Sequence, residues 1–295
     1  MQDTPPHRAL GSVDALWPQL LAAAHGGAPA PTALRQGGAQ GWQLEAGWDD
    51  AARTLFDLFK PLLDAPRGGA RPWVLAQLGQ SLDGCIATRS GESAFVSGPE
   101  CLQHLHRLRA WCDAVIVGAG TVAADNPRLT TRLVPGPSPT RVLLDPALGL
   151  AGHVQRAQVF VDAAAPTLWL CDSRWAARAA SLAGADRVIG VPGLRRDDGA
   201  PALAAACAAL AERGFRRLFV EGGGITVSRF LSQRQLDRLH LGVAPVLIGD
   251  GRRGLHFAGA PRLADCARPR CHVYPMGVDR LWDLDLRAGA AAADC

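Results

Sequence analysis

The sequence predicts an α/β fold: a mostly parallel sheet, helices on both faces and an antiparallel C-terminal strand. Two observations predict the plan itself. From Arg71 onward, short strand candidates that are apolar throughout alternate with helical stretches, which means βαβ units and strands buried on both faces. The last two strand candidates have no helix between them, which means a closing antiparallel hairpin. A chain of 295 residues can bury a sizeable core as one large domain or two small ones.

The elements follow in order. Residues 1–70 are expected to be a helical extension plus linker, and 71–295 the main domain. Helices are expected over Val13–Ala24 and Asp49–Leu63. In the second, Leu55, Leu58, Phe59, Leu62 and Leu63 recur at three- and four-residue spacing behind the acidic Asp49-Asp50 start. A Gly/Pro/Ala-rich stretch from Gly26 to Gly41 joins the two, and Pro66–Pro72 reads as a linker. Strands are expected at Trp73–Leu78, Ala114–Val117, Arg141–Leu144, Thr167–Leu170, Arg187–Val191, Arg217–Val220 and Leu239–Leu247. Helices are expected at Pro99–Trp111, Arg174–Leu182, Ala200–Arg213 and Ile225–Ser232. His272–Met276 and Arg280–Leu286 form the closing hairpin, and Trp73–Leu78 with Cys85–Ala87 reads as another across Asp83-Gly84.

Composition excludes several classes. Hydrophobic residues at 48% and charged residues at 20% describe a globular chain, not a disordered one. The net charge of +4 does not mark a nucleic-acid face, because the arginines are scattered and Lys60 is the only lysine. Arginine excess suits phosphorylated small molecules, whose oxygens the guanidinium fork grips in pairs. No run reaches the length of a membrane helix. Leu20–Ala24 imitates a signal peptide but is too short and is followed by His25 and two glycines, so a cytoplasmic protein is expected. The eight cysteines form no C-x-x-C pair, and His104-Leu105-His106 has no partner cluster, so neither a metal nor a disulfide framework is expected. They read as buried small hydrophobes, with Cys295 a terminal thiol.

In parallel sheets ligands sit beyond the carboxyl ends of the strands, and three clusters stand there. Gly118-Ala119-Gly120-Thr121-Val122-Ala123 satisfies G-x-G-x-x-[GA]. Asp125-Asn126-Pro127 breaks the helix that should follow, which argues against a standard Rossmann unit. Glu221-Gly222-Gly223-Gly224 opens a helix after a strand, where unpaired amides and the positive dipole end favour a phosphate. Glu221 faces the same crevice. The third is Ser81-Leu82-Asp83-Gly84 with Gly91-Glu92-Ser93, in which Asp-Gly by itself is only a turn signal.

Four motifs carry a resemblance: LGQSLDGCIATRSGES, LRAWCDAVIVGAGTVAADNPRLTTR, RVLLDP and LFVEGG. In order and spacing they resemble the reductase domain of the bifunctional riboflavin-biosynthesis deaminase/reductase, over roughly Arg71 to Leu286. The resemblance implies the dihydrofolate-reductase-like fold. It also implies NADPH-dependent reduction of the ribosyl group of 5-amino-6-(5-phosphoribosylamino)uracil to the ribityl form. Carried over by position, Gly79, Phe95, Thr121, Asp125 and the run Gly223, Gly224, Ile225, Thr226, Val227, Ser228 and Arg229 touch NADPH. Ser93, Arg109, Leu129, Arg132 and Glu221 occupy substrate positions. Arg109 and Arg132 would hold the sugar phosphate, and Glu221 would accept bonds from ring NH or ribose hydroxyl groups. Arg107 and Arg109 lie on different helical faces, and the resemblance picks Arg109 for the crevice. Asp125 is the candidate catalytic residue, steering a proton to the sugar oxygen, with a role limited to the nicotinamide end as the alternative.

The chain departs from the family at Gln77, often lysine, at Asn126 in place of a second aspartate, and at Pro146. Pro146 stands where a serine often contacts the cofactor, and it has neither hydroxyl nor amide hydrogen. No glutamate lies in H-x-E and no P-C-x-x-C exists, so no zinc deaminase is expected here. Two rival readings are a related reductase acting on another pyrimidine or pterin-like substrate, and a silent nucleotide-binding partner of a deaminase. Retention of Ser93, Arg109, Arg132 and Glu221 argues against silence. The expected partner is a phosphorylated small molecule, with a second copy and a separate deaminase as candidate protein partners, and neither nucleic acid nor membrane.

Overall fold

In a computed structural model of the chain, which describes residues 11–66, 68–93 and 96–287, the polypeptide divides into two units, Met1–Pro66 and Arg67–Cys295. The first unit holds α1 (Val13–Ala24) and α2 (Asp50–Leu63). Asp49 caps α2 by accepting from Ala52 N at 2.7 Å, and Leu55, Leu58, Phe59, Leu62 and Leu63 are all buried. Trp17 meets Phe59 edge-on with ring centroids 5.3 Å apart. Within the Gly/Pro/Ala-rich joining stretch the structure adds strand β1 (Leu34–Gln36), antiparallel to β2 (Trp42–Leu44). Contacts far along the chain hold this hairpin. Lys60 at the end of α2 donates to Gln40 O at 2.9 Å and Trp42 O at 2.8 Å, and Trp42 N donates to Asp64 Oδ1 at 2.8 Å.

The second unit is built on β3 (Trp73–Ser81), β4 (Cys85–Ala87), α3 (Pro99–Trp111), β5 (Ala114–Gly118), α4 (Ala119–Asp125) and β6 (Thr140–Leu144). Next come α5 (Gln158–Val161), β7 (Thr167–Asp172), α6 (Ala176–Ala183), β8 (Val188–Val191) and α7 (Leu203–Glu212). The chain closes with β9 (Arg217–Val220), α8 (Gly224–Ser232), β10 (Arg238–Ala244), β11 (Arg252–Arg253), β12 (Arg270–Met276) and β13 (Asp279–Asp285). Nine strands form one sheet in the order β12-β13-β10-β3-β9-β5-β6-β7-β8. From β10 to β8 every neighbouring pair is parallel, and β13 and β12 add antiparallel to the other side.

The order explains the crevice. The chain builds outward from β3 through β5 to β8 while leaving a slot, which β9 then fills between β3 and β5. Alternate strand residues define the two faces. Val74, Ala76, Ile116, Leu218 and Val220 pack with Leu203, Leu210, Val227 and Phe230 of α7 and α8. On the other face Gln77 Nε2 donates to Cys101 O of α3, and His104 Nε2 lies 2.9 Å from His240 Nδ1 of β10.

Two expectations change. Cys85–Ala87 does not pair with β3; it pairs antiparallel with β11, because the chain after β10 returns alongside it. Cys266 and Cys271 are exposed, whereas Cys85, Cys101, Cys112, Cys171 and Cys207 are buried free thiols. Phe95 and Cys295 lie outside the described residues.

Candidate active site

Because β3, β9 and β5 are parallel neighbours, the segments after them share one edge of the sheet. Gly118 and Gly222 are both required by Thr226 of α8: a Cβ on Gly118 would stand 2.5 Å from Thr226 Oγ1, and one on Gly222 2.7 Å from Thr226 Cβ. The two glycine turns are bound together, since Gly223 N donates to Thr121 Oγ1 at 3.2 Å. Gly223 is the N-cap of α8, and no side chain caps this end. Gly224 approaches backbone so closely that a Cβ there would lie 1.9 Å from Gly254 O. Ile225, in the first turn, is 71% exposed. An uncapped, glycine-lined helix start with exposed apolar surface fits an anionic group attached to a flat ring.

Beside this cradle the structure brings Arg109, Glu221, His106 and Arg132 together. Arg109 projects from α3 and is buried, and its Nε and Nη2 donate to Glu221 Oε2 and Oε1 at 2.7 and 2.5 Å. Its remaining nitrogen, Nη1, donates to Thr130 O at 2.8 Å. Arg132 is exposed and donates from Nη1 to Thr130 Oγ1 at 2.8 Å. His106, one turn before Arg109 on α3, accepts from Arg132 N on Nδ1 at 2.8 Å. Burial, with Arg109 and Arg132 adding repulsion, pushes His106 down to about 4, so the ring is neutral at pH 7. Among the described residues no group of three or more His, Cys, Asp or Glu side chains is arranged to hold a metal ion.

The RibD C-terminal domain family matches residues 72–269 of this chain. The chain belongs to that family. The 2,5-diamino-6-ribosylamino-4(3H)-pyrimidinone 5′-phosphate reductase of Methanothermobacter thermautotrophicus is 35% identical over 223 residues, covering 74% of this chain and 99% of that protein. The riboflavin biosynthesis protein RibD of Bacillus amyloliquefaciens is 33% identical over 196 residues, covering 65% of this chain and 50% of that protein. Thus the chain spans nearly all of one relative and half of the other. The solved Acinetobacter baumannii RibD shares the fold, with a TM-score of 0.60 at 24% identity over 80% of this chain and 63% of that one.

Within this RibD-family frame, the residues expected from sequence separate into three sets. Gly79, Thr121, Gly223, Gly224, Ile225 and Thr226 line the shared strand edge or the first turn of α8. A Cβ on Gly79 would stand 2.1 Å from Ser97 Oγ. Val227 does not face the crevice; it is fully buried in the core. Ser228 is buried too, its Oγ accepting from His256 N at 2.8 Å, and Arg229 is exposed on the next turn. The helical period therefore limits the cradle to the start of the Gly223–Arg229 run.

Asp125 ends α4 with its carboxylate exposed, and Asn126 closes the helix in the left-handed region at φ 43°. Leu129 has a buried side chain and a φ of 57°, so it offers backbone and not side chain to the crevice. Ser93 is exposed just before the undescribed pair of residues. Arg109 spends one N–H of each guanidinium nitrogen inside the protein, on Glu221 and the Thr130 carbonyl, so it orients Glu221. Arg107, on a different helical face, is half-buried and donates to Gln103 Oε1 at 3.0 Å. Sequence reasoning missed His106 and the Thr130 carbonyl. The i,i+3 spacing of His106 and Arg109 was the available signal.

Proposed function

We propose that this chain is an NADPH-dependent reductase that opens the ribosyl group of a ribosylaminopyrimidine 5′-phosphate to the ribityl form. The observation that carries the reading is a carboxylate, Glu221, oriented by a buried arginine and followed directly by an uncapped glycine helix start. The name of the Methanothermobacter relative supports the substrate class. The amides opening α8 would hold the cofactor pyrophosphate, with Thr121 bracing Gly223. When bound, NADPH supplies a hydride.

The chain's own residues align the reactants. Glu221 accepts hydrogen bonds from ring NH or ribose hydroxyl donors. Arg132, the exposed cation of the cluster, takes the sugar phosphate. Asp125, exposed at the end of α4, would steer a proton to the sugar oxygen. A phosphorylated small molecule is thus the proposed partner, alongside a second copy of the chain and a separate deaminase. No helix among the described residues is long and apolar enough to cross a membrane, and the free buried thiols suit a reducing cytoplasm.

The test mixes purified protein with NADPH or NADH and two substrates, the 2,5-diaminopyrimidinone and the 5-aminouracil ribosylamino 5′-phosphates. Loss of reduced-nicotinamide absorbance with either substrate is expected. No oxidation of either cofactor would refute the reading. Equal use of NADH would show that Pro146 marks a lost 2′-phosphate contact.

A further inference from the structure

The turn Ser81-Leu82-Asp83-Gly84 does more than reverse the chain. Asp83 is half-buried, and its carboxylate gathers a segment more than 160 residues away in sequence. Oδ2 accepts from Gly249 N at 2.6 Å and Ile248 N at 3.1 Å, while Oδ1 accepts from Ser81 Oγ. Ser81 Oγ in turn accepts from Cys85 N at 2.9 Å. These bonds hold Asp83 down to about 2, with the hydroxyl of Ser81 the largest influence, so it remains a carboxylate throughout the neutral range.

What Asp83 holds is a strap. After Gly249 the chain runs along β4 as β11, where Arg253 Nη1 donates to Asp83 O at 2.7 Å and Gly254 N donates to Gly84 O at 2.9 Å. The Gly254 carbonyl then presses on Gly224, the first residue of α8, and His256 N donates to Ser228 Oγ one turn further on. Gly254 is itself wedged, since a Cβ there would stand 2.9 Å from Gln80 Oε1 and 3.1 Å from Ile86 Cγ2. One line of bonded groups thus leads from the Asp83 carboxylate to the first turn of the cofactor cradle.

We propose that Asp83 is a positioning residue for the cradle: it anchors residues 248–249, so that the strap 252–256 clasps the N-terminal turn of α8 in the form that receives the cofactor pyrophosphate. The proposal rests on the reading of α8 as the cofactor-binding helix. The clasp works through excluded volume and backbone hydrogen bonds, which set where the Gly224 and Ile225 amides point. Losing the anchor leaves the half-buried Ile248 amide without its acceptor, releases the exposed Gly249 amide and frees the strap to move.

The experiment uses the full chain and the variants Asp83→Ala, Asp83→Asn and Asp113→Ala. Asp113 is the control because it makes a comparable set of bonds at the opposite, N-terminal edge, to Arg216 N and Arg217 N at 2.8 Å each. NADPH affinity is measured by fluorescence without substrate, and amide exchange is followed at 223–226 and 248–256 without cofactor. Asp83→Ala should weaken NADPH binding at least tenfold and speed exchange in both segments. Asp83→Asn, keeping one acceptor oxygen, should fall between it and the unmodified chain. Asp113→Ala should lower the melting temperature with NADPH affinity unchanged. Unchanged exchange at 223–226 in Asp83→Ala and Asp83→Asn, or an NADPH affinity shift no larger than that of Asp113→Ala, would overturn the proposal. If the unmodified chain binds no NADPH, the cofactor reading fails instead, and exchange at 223–226 still decides whether the strap sets the helix start.

Discussion

Replacing Arg109 by alanine tests whether it acts by holding Glu221 or by clamping the substrate phosphate. Arg109 and Glu221 side chains are 7% and 17% exposed, so the pair is largely withdrawn from water. Removing one member of such a pair strands the other and costs about 3–5 kcal/mol; partial hydration of Glu221 argues for the low end. A loss of about 3 kcal/mol corresponds to a fall in Tm of roughly 6–12 °C for a unit of this size. The Thr130 carbonyl loses the shorter of its two donors as well, keeping Arg132 Nη1 at 3.3 Å. Turnover should collapse because Glu221 no longer holds one orientation. That effect should be equal on phosphorylated and dephosphorylated substrate if Arg109 acts by holding Glu221, to which it gives its bidentate pair of bonds. The double variant Arg109→Met with Glu221→Leu should regain most of the stability while remaining inactive, because apolar replacement removes the stranded charge. Denaturant unfolding and steady-state kinetics on both substrates provide the readouts. A stable Arg109→Ala variant whose defect vanishes on dephosphorylated substrate would refute the argument and restore Arg109 as the clamp.

Arg132→Ala should show the opposite pattern: nearly unchanged stability, but a loss of about 1.5–3 kcal/mol, roughly 10- to 150-fold, in affinity for phosphorylated substrate alone. Gly224→Ala should abolish NADPH binding in titrations because its Cβ meets the Gly254 carbonyl at 1.9 Å, whereas Gly223→Ala, 3.2 Å from a movable Thr121 hydroxyl, should retain part of it. The unfolded chain takes up a proton at His106 near pH 6.5, but the folded chain only near 4, so stability should fall as pH drops through that window. Burial depresses His104 in the same direction, and His106→Gln should therefore flatten, not abolish, the slope in urea midpoints measured across it. Deleting residues 1–66 should leave NADPH oxidation intact, as the family match begins at residue 72; a folded truncation without turnover would place the first unit in the site.

Sequence by itself determined the elements whose signal is local. Helix α2 follows from apolar three- and four-residue spacing behind a capping aspartate, and α4 ends where Asn126-Pro127 forbids another turn. Gly222-Gly223-Gly224 were legible as a helix start open to an anion, whereas the close packing of Gly118 and Gly222 on Thr226 and of Gly224 on the Gly254 carbonyl was not. Tertiary structure decided the partners. Insertion of β9 between β3 and β5 places Glu221 against an arginine 112 residues earlier, and nothing near either residue encodes that meeting. The same holds for Asp83, a plain turn residue by its neighbours, which becomes the anchor of residues 248–249 once the chain after β10 folds back along β4. It also holds for the β1–β2 hairpin, whose Gly-rich sequence is ordered by Lys60 of α2 and by Asp64, the residue that caps its C-terminal end. Periodicity reports which face of an element is buried; which charge waits on the opposing face is set by strand order, and strand order is a property of the whole chain.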